Sequence, residues 1–207
     1  MIELSSKLFN PKIYCYLYKL QGHFLGLKSV KVMKIDPITA NDFIAVYREF
    51  LLDLYESSET EKVHKKLTEK LVIGRRQFSD NRDLLKVFLE KNNKFNFPKE
   101  IISAIENIEI AKWVYLRDTR YYSVLLNIDG LSGYGVLGLN DKIKEIVGQS
   151  GVVIETGVMP LKGNFVSDGL IVSLADLGPN YKKEFNVKLR ELKESKKFKT
   201  KANVSSQ

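Results

Sequence analysis

Four charged residues in the second half of the chain are of types that chemistry could use: Asp118, Glu155, Lys162 and Asp168. Carboxylates and a lysine on neighbouring strands could hold a metal for phosphodiester cleavage. Their spacing matches no nuclease pattern, and each has a structural role open to it. Asp118 lies between Arg117 and Arg120, in a turn where aspartate bonds readily to nearby backbone. Asp168-Gly169 has the residue types of a turn or bulge. Glu155 stands among Val152, Val153, Ile154 and Val158. Pointing inward, it needs a cation. Lys162, in the turn that returns the chain beside it, is the expected partner, with Arg117 as the alternative. A buried structural pair is preferred here to a catalytic site.

The sharpest motif is GYGVLG, in which Gly133, Gly135 and Gly138 satisfy the dinucleotide-loop spacing and Glu155 falls where a ribose-binding acid would. That reading fails on local grounds. A dinucleotide loop turns from strand directly into helix, whereas Val136, Leu137 and Leu139 have strand character and Asn140 is the first helix cap. Close backbone packing is the better account of these glycines. Nucleophilic catalysis has little support, since no G-x-S-x-G occurs and the candidate bases are poor. His64 lies on a polar helix face beside Lys65 and Lys66, and His23 and Cys15 belong to an N-terminal segment of doubtful standing. One cysteine and two histidines make neither a disulfide nor a zinc site. No metal and no cofactor are expected.

A basic segment closes the chain. Lys182, Lys183, Lys188, Arg190, Lys193, Lys196 and Lys197 are candidates for phosphate contact, with Tyr181 and Phe198 as stacking groups. The competing and preferred reading is a docked helix with a solvated lysine face, because Phe185, Leu189 and Leu192 recur at helical spacing. The net charge of +8 is unevenly placed. Residues 1–36 carry +4, residues 37–179 carry −2 and residues 180–207 carry +6. A near-neutral body with basic ends argues for a basic tail more than a basic domain. The partner is left open, with nucleic acid or an acidic protein as candidates.

The elements that must position these residues are legible. Residues 112–173 read as five short strands with one helix, over 141–147, inserted after the third. Four helices precede them. The first starts near Thr39 with Asp42 three residues on, and its inner face is Phe43, Tyr47, Phe50, Leu51 and Leu54. The second spans 60–73 and stops at Gly74. The third begins near Ser79 and buries Leu84, Leu85, Phe88 and Leu89. Pro98 opens the fourth. Asp129-Gly130 and 160–163 are turns, a helix over 180–196 follows, and the end from Lys197 is a frayed tail.

Helices before strands indicate an α+β fold: an N-terminal helical layer packed on a mainly antiparallel five-stranded sheet that closes toward a barrel, with a C-terminal helix. The domain spans 33–196, followed by a basic tail over 197–207. Residues 1–32 are an uncertain extension, either upstream sequence before a true start at Met33 or a hairpin containing Tyr14, Tyr16 and Tyr18. No apolar run approaches the roughly 20 residues of a membrane span, no signal peptide is evident, and a reducing, cytoplasmic compartment fits the cysteine usage. The functional expectation is a non-catalytic binding or accessory module. Nucleic-acid binding through the basic end is the first alternative, and an enzyme using Asp118, Glu155, Lys162 and Asp168 the second.

Overall fold

The computed structural model describes residues 33–58 and 65–202, together with the backbone of Lys12–Cys15. Four helices precede most of the sheet: α1 (Pro37–Ser58), α2 (Leu67–Asp80), α3 (Leu84–Lys91) and α4 (Lys99–Glu106). The strands are β1 (Lys12–Cys15), β2 (Glu109–Asp118), β3 (Ser123–Asn127), β4 (Gly133–Leu137), β5 (Val152–Leu161), β6 (Asn164–Ser167), β7 (Leu170–Asp176) and β8 (Phe198–Lys199). Helix α5 (Ile143–Val147) lies between β4 and β5, and α6 (Pro179–Glu194) follows β7. This is an α+β fold, with a helical layer, a mixed but mainly antiparallel sheet and a C-terminal helix.

Seven strands form one path, β1-β7-β5-β2-β3-β4-β6, with β8 added to β4. The sheet exceeds the five expected strands because Asp168-Gly169 breaks the last long segment into β6 and β7, with Gly169 at φ 77°, and because β1 and β8 join it. Long β5 pairs its first half with β7 and its second half with β6. The path also returns on itself, since β6 pairs with both β4 and β5. The β4–β6 contact is parallel and two register pairs long, so the ring is not a clear barrel.

Alternation along the strands sorts the core into three parts. Inside the ring, Trp113, Tyr115, Leu125, Val136 and Ile154 meet Ile143 and Ile146 of α5. On the outer face, Val114, Leu116, Val124 and Leu126 meet Phe185, Leu189 and Leu192, which confirms the docking stripe of α6. The largest part joins Phe43, Phe50, Phe78, Phe88 and Ile105 of the helical layer to Met159, Val166 and Leu170.

Several boundaries differ from the sequence reading. Asp36, not Thr39, caps α1: its Oδ1 accepts from the Thr39 amide at 2.9 Å. That bond holds the Asp36 carboxyl below the usual range. Gly74 does not end α2, which continues to Asp80. A Cβ at position 74 would stand 2.1 Å from the Leu51 carbonyl oxygen, so the glycine serves the close approach of α2 to α1. Helix α3 starts at Leu84 and buries Leu85 and Phe88, leaving Leu84 and Leu89 half-buried. Helix α5 starts at Ile143, two residues later than expected, and stops at left-handed Gly148. The chain after α6 is not frayed at once, because β8 pairs with β4 and the Ala202 amide bonds the Gly163 carbonyl. Of residues 1–32 only the β1 backbone is described, paired antiparallel with β7.

Candidate functional site

The extra two turns of α2 bring an arginine into the middle of the molecule. Leu71, Arg75 and Phe78 share the inner face of the helix, and Arg75 is fully buried. Its guanidinium spans the gap to the sheet. Nη2 donates to Glu155 Oε1 at 3.0 Å; Nη1 donates to Asp168 Oδ2 at 3.2 Å and to the Leu170 carbonyl at 2.5 Å. Among the described residues Nε finds no partner. The guanidinium is a rigid fork of donors that stays charged when buried, so one residue ties α2 to β5 and to the start of β7.

Asp168 is fully buried and satisfied from several sides. Oδ1 accepts from Thr156 Oγ1 at 2.9 Å and from the Leu170 amide at 3.0 Å. The Tyr47 hydroxyl stands 3.4 Å from Oδ2. Burial pushes the Asp168 carboxyl above the ordinary aspartate range, against the pull of Arg75 and the Thr156 hydroxyl. Burial likewise pushes the Tyr47 phenol well up, so it stays a neutral donor. A Cβ at Gly157 would meet Oδ2 at 2.7 Å, which makes the neighbouring strand position glycine's. The Gly157 carbonyl in turn accepts from the Asp168 amide.

Glu155 differs from Asp168 in reaching solvent, with its side chain 19% exposed. It lies on the wall of an open cleft of about 310 Å³ lined by Arg76, Ser79, Asp80, Ile110, Ala111, Lys112 and Glu155. The cleft runs between the last turns of α2 and the β2–β5 pair, where Lys112 is the register partner of Glu155. Strand β2 pairs with β5 from Glu109 onward but with β3 only from Trp113. Among the described strands, residues 109–112 therefore lack a partner on the side away from β5, and residues 110–112 also line this cleft.

The charged residues singled out from sequence are not gathered in one place. Glu155 and Asp168 are brought together, through Arg75. The expected Glu155–Lys162 pair is not formed. Lys162 occupies the β5–β6 hairpin turn at φ 51°, and its Nζ pairs with Glu100 Oε2 at 2.7 Å. The left-handed turn aims the lysine toward α4, away from Glu155, and Arg75 replaces it. Asp118 is elsewhere again, accepting from Tyr115 Oη at 2.8 Å and Ser123 Oγ at 2.7 Å. Arg117, the alternative partner, bonds Asn186 on α6. Among the described residues no group of three His, Cys, Asp or Glu could hold a metal.

The glycines of GYGVLG lie in or just after β4, with α5 starting only at Ile143. A Cβ at Gly135 would meet the Tyr122 ring at 2.8 Å, and one at Gly138 the Asp141 carbonyl at 1.9 Å, which fits the packing account. His23, His64 and the Cys15 side chain lie outside the described residues. On α6 and just beyond it, Tyr181, Lys182, Lys183, Arg190, Lys193, Lys196 and Lys197 are exposed, while Lys188 and Phe198 are half-buried.

Sequence reasoning missed Arg75 because a glycine before it was read as a helix stop. The signal that could have found it is spacing: Leu67, Leu71, Arg75 and Phe78 continue one helical face across Gly74. No helix among the described residues is long and apolar enough to cross a membrane. No protein-family model matches the chain, nor does any curated protein or solved structure.

Proposed function

We propose that this chain is a non-catalytic binding module that takes an extended polypeptide segment in the cleft between α2 and the β2–β5 pair. The observation that carries the reading is that residues 110–112 line that cleft while β2, among the described strands, has no partner over residues 109–112 on the side away from β5. Only another extended backbone matches the alternating donors and acceptors of a strand edge, and adding such a strand is a recurrent mode of peptide recognition. The walls carry both signs of charge, Asp80 and Glu155 against Arg76 and Lys112, so a polar peptide suits them better than an apolar one. Glu155 is held by Arg75 and offers its carboxylate at low cost in side-chain ordering.

An enzyme needs its charged groups within reach of one reacting atom. Asp118 and Lys162 are committed to other neighbours and Asp168 is sealed inside, which favours binding over catalysis. Ser79 is an exposed wall residue, and Ser79→Trp would fill the cleft without touching the core. Peptides selected from a random display library on the wild-type protein should lose binding to this variant. They should also protect the Ile110 and Lys112 amides from hydrogen exchange. Selected peptides that bind the variant equally well would end the proposal.

A further inference from the structure

The docking of α6 fixes what the rest of its circumference faces. With Phe185, Leu189 and Leu192 against the sheet, a turn of 100° per residue puts Lys182, Asn186 and Lys193 along one flank. Lys183 and Arg190 lie beside them, further from the sheet; Glu184 and Glu191 fall on the opposite flank, and Glu194 follows Arg190 by one turn. Arg117 joins this flank from β2 by donating to Asn186 Oδ1. The lysine stems are packed as well as displayed. Lys182 lies so close over Gly151 that a Cβ there would stand 2.1 Å from its Cε. Lys193 Nζ stands 5.6 Å over the Phe198 ring. The turn after β2 adds Arg120, 5.6 Å over the ring of Tyr121, which is 52% exposed.

Among the described residues, the ion pairs involve other cations, and no carboxylate lies within 4.0 Å of the charged nitrogens of Arg117, Lys182, Lys183, Arg190 or Lys193. Crowded cations of one sign repel one another, and a polyanion relieves that repulsion while releasing its counterions. The apolar stripe of α6 is spent on the sheet, and Tyr181 and Val187, its exposed apolar residues, form no continuous face for a bilayer. The exposed Tyr121 ring, with Arg120 over it, lies in the turn that follows Arg117, and an aromatic ring there is the complement of an unpaired base.

We propose that the flank formed by Arg117, Lys182, Lys183, Arg190 and Lys193 binds single-stranded nucleic acid along its phosphates, with Tyr121 as a stacking platform. This surface is separate from the α2–β5 cleft and does not depend on it. The test is fluorescence anisotropy of a labelled 20-nucleotide oligothymidylate with the full chain. Binding is expected at about 50 mM salt, weakening roughly 50-fold by about 200 mM if about four phosphates are contacted. The variant Arg117→Gln/Lys182→Gln/Arg190→Gln/Lys193→Gln should lose at least about tenfold in affinity and flatten that salt slope. Arg190→Glu alone should weaken binding in the same direction if the fourfold variant folds poorly. Tyr121→Ala should weaken binding with the slope unchanged, and Lys142→Gln/Lys144→Gln at the start of α5 should have no effect. No binding at low salt, unaltered binding by both flank variants, or equal binding of poly-glutamate of the same charge would each overturn the proposal. The last result would assign the flank to an acidic protein.

Discussion

At the junction of α2 with β5 and β7, one fully buried cation holds two carboxylates. Along the exposed flank of α6, a row of cations holds none among the described residues. The two regions draw on the same residue types and differ only in where packing placed them. Arg75 has left water, and its desolvation is offset by a fork of hydrogen bonds in fixed directions. The exposed lysines of α6, Lys182, Lys183 and Lys193, keep their hydration, so they contribute little to stability. Buried charge therefore specifies how the helical layer sits on the sheet, and exposed charge is available for recognition.

The comparison breaks first at Arg75. Arg75→Met should cost roughly 3–5 kcal/mol, because it strands Asp168 as an unpaired buried acid. Arg75→Met/Asp168→Asn should recover part of that loss, since the fully buried acid is neutralised and the remaining carboxylate, Glu155, reaches solvent. Urea unfolding of both proteins measures this, and a single variant as stable as wild type would show that the cluster does not hold α2 in place.

Gly74→Ala should destabilise by about 1–3 kcal/mol, because its methyl group meets the α1 backbone and forces the helices apart. Were Gly74 a helix stop, alanine would be neutral or better. The thermal midpoint separates the two.

Glu155 and Lys162 sharpen the contrast on a smaller scale. Glu155→Gln keeps an acceptor for Arg75 and should cost about 1 kcal/mol. Lys162→Met removes only an exposed ion pair with Glu100 and should cost at most about 0.5 kcal/mol. Because the two side chains touch different partners, the double variant should be additive. A coupling energy above about 0.5 kcal/mol would mean that they meet after all.

Asp36 tests an exposed charge that does bond. Asp36→Ala should cost about 1 kcal/mol through loss of the α1 cap. The folded carboxyl titrates below the unfolded value of 3.8, because the Thr39 amide bonds the charged form. Its contribution is therefore present at neutral pH and lost as pH falls below that value and through the lower folded one. Stability curves of wild type and Asp36→Ala should converge in acid, and parallel curves would remove Asp36 from the cap.

Local signals explain which parts of this molecule were readable from the chain. The stripe Phe43, Tyr47, Phe50, Leu51 and Leu54 is periodic and is buried as expected. The Asp129-Gly130 turn and the Gly148 stop need only a few adjacent residues, and both stand where composition puts them. Gly74 failed because a glycine that ends a helix and one that admits a neighbouring helix are the same letter. The Glu155 pairing failed in a related way. That an inward carboxylate needs a cation follows from burial, but sequence proximity favoured Lys162, and the partner came from 80 positions away.

The amino-acid sequence by itself determined the α+β class, the order of helices and strands and the docking stripe of α6. Each rests on periodicity, turn chemistry or composition, which act over a few residues. Tertiary structure alone decided that Arg75 joins Glu155 to Asp168, that β6 and β7 flank β5, and that, among the described strands, β2 has an unpaired edge over residues 109–112. It also decided which flank of α6 the cations share with Arg117. These are pairings between distant segments, set by which surfaces exclude water together, and no local pattern encodes them.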